Sequence, residues 1–305
     1  MLGVNFAIHL NNLIVKKPQY LTIIFAFLGL CLLWAFGSTK PRKHQSAHTH
    51  EGHQHEVSDL NAELLSTSFS IDSNLLASQQ RLSEGYQKRV EELNRILQSV
   101  TDSQEKTHVY HQLSQFWKDT GRAFIPFAWY TAEGARLENS EKNLNFAGHL
   151  FLNNLQEAED NELRKWMALQ AKDLFERTLQ VNPDNDSAKV GLGATYIFGG
   201  ISNAPMQGIA KIREVVDKDS SNVYAQMTLA MGSLMSGQTE KARERLETVA
   251  RIDAENLQAV LLLADIYEKQ GNKEKAIAWY QKALPLADQY PEMKAELGKR
   301  IQDLK

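Results

Sequence analysis

The carboxyl-terminal part of the chain repeats itself at an offset of 34 residues, and few folds tolerate such a period. Gly237-Gln-Thr-Glu-Lys-Ala242 returns as Gly271-Asn-Lys-Glu-Lys-Ala276. The same offset relates Leu229 to Leu263, Ala230 to Ala264, Leu246 to Tyr280 and Asn222 to Asn256. Asn185, in Val-Asn-Pro-Asp-Asn, stands 37 residues before Asn222. A period of this length is one supersecondary unit that cannot bury its apolar face alone, so neighbouring units must stack into a continuous core. The apolar positions inside each unit follow helical spacing, which predicts an all-α solenoid of antiparallel helix pairs.

The last unit, LLLADIYEKQGNKEKAIAWYQKAL, resembles the tetratricopeptide repeat almost position by position. Leu263, Ala264 and Tyr267 belong to its first helix, Gly271 to the turn, and Ala276, Tyr280 and Ala283 to its second helix. Small residues let two helix backbones approach, an aromatic ring fills the gap to the next unit, and glycine frees the turn. Units are expected at 186–222, 223–256 and 257–290. Ala171, Phe175 and Pro183 mark an earlier one at 142–185, with a first helix at about 142–158. Trp117, Gly121, Tyr130 and Leu137 suggest a degenerate one at 105–138. Residues 291–305 read as a more polar helix that caps the array. The connector after Gly199-Gly200 is long for this pattern, which marks either drift or a contact point.

The resemblance implies a protein-binding scaffold whose groove is lined by the first helices. The second, fifth and ninth positions of each unit would face it: Ser187, Val190 and Ala194; Tyr224, Met227 and Met231; Gln258, Leu261 and Asp265. The middle set is apolar, and its methionines adapt to varied partners. Either these side chains meet a peptide or they pack against neighbouring helices. Ahead of the repeats, Tyr86, Val90, Leu93, Leu97 and Val100 draw one apolar stripe within an amphipathic segment at 59–103. The aromatic group Phe116, Trp117, Phe124, Phe127, Trp129 and Tyr130 reads as core.

The amino-terminal part is of another kind. Tyr20 to Phe36 contains no charge and, with its neighbours to residue 37, is long enough to span a bilayer after a short tail at 1–19. A signal peptide would have a shorter apolar stretch and a small-residue cleavage site, whereas Trp-Ala-Phe-Gly-Ser-Thr-Lys follows here. Lys16 and Lys17 precede the span and Lys40, Arg42 and Lys43 follow it, a margin of one charge toward an inward-facing carboxyl-terminal side. The short tail and single anchor favour the opposite orientation, an exported domain on the periplasmic side of a bacterial inner membrane. Residues 1–15 look unlike the rest, and Val15 is an alternative translation start. Anchored layouts of this kind are similar to membrane-anchored repeat proteins of Bacteroidetes-type bacteria, and they occur in cytochrome c assembly factors and accessory subunits of the secretion translocon.

Residues 38–58 form a polar linker in which His44, His48, His50, His53 and His55 fall within twelve residues. Imidazoles on such a tether could wrap weakly around Zn²⁺, Cu²⁺ or Ni²⁺, the basis of an alternative metal-handling role. No other cofactor is expected. With 23% charged residues and a net charge of −3, nothing suggests nucleic acid as a partner. Cys31, the single cysteine, lies in the apolar stretch and supports neither a zinc site nor a thiol nucleophile. Glu105, His108 and His111 share a helical face without the second carboxylate-histidine pair that a two-metal bundle needs. No phosphate-binding glycine loop, His-Glu-x-x-His or nucleophile elbow occurs. These patterns predict a binding protein and no enzyme.

Overall fold

The computed structural model describes residues 68–158, 160–201 and 205–305, within which the chain is helical and contains no strand. The expected transmembrane helix at 20–37, its tail and the histidine linker lie outside the described residues. Among the described residues no helix is long and apolar enough to cross a membrane.

Thirteen α-helices follow one another among the described residues: α1 (Ile71–Gln80), α2 (Glu84–Ser99), α3 (Ser103–Phe116), α4 (Phe124–Glu138), α5 (Glu141–Asn153), α6 (Asn161–Val181), α7 (Asp186–Phe198), α8 (Pro205–Lys218), α9 (Val223–Met235), α10 (Thr239–Ile252), α11 (Leu257–Lys269), α12 (Lys273–Leu286) and α13 (Pro291–Leu304). Packing is closest within the pairs α3–α4, α5–α6, α7–α8, α9–α10 and α11–α12, and each pair meets chiefly its neighbours in the chain. This is the stacked helix-pair architecture of an α-solenoid.

Local chemistry sets the period. Asn185, Asn222 and Asn256 each cap a first helix, their side chains accepting the amides of Ala188, Ala225 and Ala259 at 2.7, 2.9 and 3.1 Å. The backbone amides of Asn222 and Asn256 also donate to Asp219 and Asp253, closing the preceding turn. One residue type thus ends a turn and satisfies an orphan donor of the next helix. Within the last two pairs, Gly237 and Gly271 take φ values of +72° and +74°, which a side chain would strain.

The core is a chain of clusters. Phe151, Trp166, Leu169 and Phe175 fill the α5–α6 region, while Val260, Ala264, Tyr280, Leu297 and Ile301 join α11 and α12 to the closing helix α13. Trp117 and Tyr130 are buried beside Val90, Leu93 and Leu113, with Phe116, Phe127 and Trp129 packed around them. Phe124 packs onto the next cluster, so the aromatic run is core. The apolar stripe before the repeats runs along α2 from Tyr86 to Leu97, with Val100 at the C-cap beyond it. Residues 81–83 break the helix between α1 and α2, and Tyr86 remains half exposed against the edge of Phe116. The first helix of the α5–α6 pair ends at Asn153, and a short 3-10 turn at Leu155–Glu157 follows it.

Candidate functional site

First helices lie next to one another: α5 packs against α7, and α7 against α9. Ser140, Asn185, Asn222 and Asn256 cap α5, α7, α9 and α11, which gives the four helices a common register. Counting five and nine residues from the cap of α5 reaches Asn145 and His149; counting two from the caps of α7 and α9 reaches Ser187 and Tyr224. These four side chains meet. Asn145 Nδ2 donates to Ser187 Oγ at 3.2 Å, and His149 Nε2 lies 2.8 Å from the same oxygen. Ser187 Oγ has two lone pairs and one proton, so it can receive the amide and still pair with His149 Nε2 in either direction. The His149 ring stands edge-on to Phe175 at 4.9 Å and to Tyr224 at 5.5 Å. Burial lowers the His149 pKa from its ordinary value, so the ring is neutral near pH 7.

The notch is not fully satisfied. Asn145 Oδ1 is buried and has no hydrogen-bond partner. Beside it on α5, Phe146 projects into solvent with 56% of its surface exposed, and Tyr224 keeps 37%. A neutral polar notch bordered by exposed aromatic surface can hold a chain segment by ring contacts and hydrogen bonds.

The positions expected to line a groove separate into two groups. Tyr224 and Gln258 are exposed, while Ser187, Met231, Leu261 and Asp265 are half-buried. Val190, Ala194 and Met227 are buried and offer no surface to a partner, which corrects their expected role. Val190 is enclosed by Ile212, Val215, Ala225 and Leu229, and Met227 by Ala230, Leu263 and Ile266. Ala194 belongs to the core around Phe175. Asp265 is committed within the fold: its carboxylate accepts from Tyr280 Oη at 2.5 Å and from Arg300 at 3.1 Å, tying α11 to α12 and α13. Burial, followed by Asp265 and Glu268, raises the Tyr280 pKa. Asn145, Phe146 and His149 were missed from sequence, although the cap-to-cap register would have reached the first and last of them.

The five linker histidines lie outside the described residues. Among the described residues no group of three or more histidine, cysteine or acidic side chains is placed to hold a metal. His108 pairs with Gln112 at 2.8 Å and His111 with Glu138 at 2.9 Å, so these two histidines serve separate contacts.

The glycine turns, the buried alanines and the asparagine caps together define the unit. Residues 233–299 match the tetratricopeptide repeat family model. Within that match Ala242, Ala264, Ala276 and Ala283 are wholly buried, where a larger side chain would separate the helices. No curated protein matches the chain. Among solved structures, MamA from Desulfovibrio magneticus RS-1 is 19% identical, covering 60% of this chain and 96% of that one with a TM-score of 0.42. YrrB, a TPR protein with an unusual peptide-binding site, is 18% identical over 68% of this chain and 96% of its own, with a TM-score of 0.41. PilW, a type IV pilus biogenesis factor, is 16% identical over 65% and 85%, with a TM-score of 0.46. At these values the likenesses say nothing about a ligand.

Proposed function

We propose that the chain is a non-enzymatic scaffold that holds a protein or peptide client on the face of its first helices. The observation that carries this reading is the notch of Asn145, His149 and Ser187, bordered by the exposed ring of Tyr224. An extended client would lay apolar side chains on the Tyr224 ring and direct polar groups at the notch. Residues 20–37 would anchor this scaffold in a bacterial inner membrane with the helices on the periplasmic side, where it would aid secretion or the assembly of membrane and periplasmic complexes. The uncharged run from Tyr20 to Phe36 supports the anchor.

A photo-reactive residue in place of Tyr224 tests the site. We expect a discrete cross-linked client, absent when the same residue replaces Lys282 and lost from the Tyr224 position when Asn145 and His149 are both changed to Ala. Equal labelling from 224 and 282 would remove the site. Protease treatment of intact cells and of cells with only the outer membrane opened tests the placement. Cleavage in the second sample alone is expected, whereas protection in both would put the helices in the cytoplasm.

A further inference from the structure

On α9, Leu229, Gly232 and Ser233, with Ser236 at its C-cap, lie on a different side from Tyr224, as a helical rotation of about 100° per residue requires. They border a small open cleft of about 60 Å³, completed by residues of α7, α8 and α10. Its floor is apolar: Leu229 is buried, and Ile197 and Ile209 pack into the same cluster. Three cations stand around that floor, Arg213 from α8 with Lys241 from the first turn and Arg245 from the middle of α10.

What distinguishes these cations is their company. Arg243, on the same helix, is held by Glu240 and Glu247 at 2.8 Å. Arg245 instead donates to the neutral amide oxygen of Gln226 at 2.9 Å, and Lys241 to that of Gln238 at 2.7 Å. Among the described residues neither has an ion-paired carboxylate, and Arg213 has no partner at all. The hydroxyls in the cleft donate to their own helix, Ser233 to the Leu229 carbonyl at 2.8 Å and Ser236 to that of Gly232 at 3.0 Å. The donors left to the cleft are therefore cationic. Arg245 is half-buried, and burial, followed by the charge of Arg213, lowers its pKa. Like charges gathered against an apolar floor repel one another at a cost that a bound anion would offset.

We propose that this cleft binds a phosphate monoester, with Arg213 and Arg245 gripping the phosphoryl oxygens and Lys241 supplying a third charge. A compact dianion matches three converging cations better than a singly charged carboxylate does. Guanidinium forks pair with phosphate oxygens two at a time. Ile197, Ile209 and Leu229 provide the surface for the organic part of the ester. The source is either a soluble phosphate ester or a lipid headgroup ending in a monoester. This site is independent of the client-binding face and stands or falls separately.

The test uses the purified full chain. Inorganic phosphate is titrated by calorimetry at ionic strength matched with chloride, with the melting temperature followed in parallel. Dihexanoyl phosphatidic acid and dihexanoyl phosphatidylcholine, both soluble, provide the lipid arms. Saturable binding of phosphate or of phosphatidic acid, with none of phosphatidylcholine, is expected. Tighter binding of phosphatidic acid than of phosphate assigns a lipid headgroup, and equal binding assigns a soluble ester. Arg213→Gln and Arg245→Gln should each weaken binding about tenfold, the loss of one charge-assisted contact. Arg213 is exposed and unpartnered, so Arg213→Gln should melt no lower than the parent without ligand. An adventitious ion only, seen as a chloride response equal to that of phosphate, would overturn the proposal. So would unchanged affinity in Arg213→Gln, or no binding of either monoester.

Discussion

His149 shows how one side chain joins packing to chemistry at this site. It fills the gap between Phe175 and Tyr224 and pairs with the Ser187 hydroxyl through Nε2. Burial holds its folded pKa below the ordinary value of 6.5. Below pH 6.5 the unfolded chain therefore takes up a proton that the folded chain refuses, and stability is lost as pH falls through the folded pKa. Melting temperatures measured from pH 8 to 5.5 should decline over this window, and the His149→Gln variant should lack that part of the decline. Identical curves would show that the ring is not the titrating group. At Gly193 the constraint is steric. An added Cβ would sit 2.5 Å from Ile212 Cγ1 and 2.6 Å from the Gly208 carbonyl oxygen, where backbone meets backbone. Gly193→Ala should cost roughly 2–3 kcal/mol in urea denaturation through overpacking. Gly298→Ala meets nothing within 4 Å, and helix propensity predicts a gain of about 0.5–1 kcal/mol there.

Between elements, polar groups are as specific as apolar ones. Arg136 on α4 reaches across to α6, donating to Asp173 at 2.7 Å and to Gln170 at 2.6 Å, and also pairs with Glu133 at 2.6 Å. Asp173 takes a second arginine, Arg177, at 2.8 Å. Asp173 and Gln170 are buried, so the network has few replacement partners in water. Asp173→Ala leaves two cations without their shared carboxylate and should destabilise by about 3 kcal/mol, read as a lower urea midpoint with an unchanged slope. A change below about 0.5 kcal/mol would mean that water substitutes freely.

Across the whole molecule, stability comes from nearest-neighbour interfaces, so the ends matter. Helix α13 closes the array by burying Leu297 and Ile301 against α11 and α12, while Arg300 bridges to Asp265 and Glu268 at 3.1 and 3.5 Å. Ending the chain at residue 290 would uncover Tyr280 and Ala283 and remove two buried aliphatic side chains, worth roughly 3–5 kcal/mol together. The truncated protein should melt earlier and associate in light scattering, because the exposed face is apolar. An unchanged midpoint would show that α13 is an appendage.

The helical class and the stacking of pairs were legible from sequence, because a 34-residue repeat of small and aromatic residues admits one economical way to bury its apolar faces. The glycines at 237 and 271 and the asparagine caps act through their immediate neighbours, so their roles survive translation into any tertiary setting. Exposure does not share that property. Val190 and Met227 occupy the same register as Asn145 and Leu261, yet the packing of α8, α9 and α11 buries them, a non-local consequence that a position rule cannot contain. The meeting of Asn145, His149, Ser187 and Tyr224 joins residues from three helices, and the cleft of Arg213, Lys241 and Arg245 joins residues from two. Sequence determined that units would stack. Only the tertiary structure decided which faces stayed open, because exposure depends on what each neighbour covers.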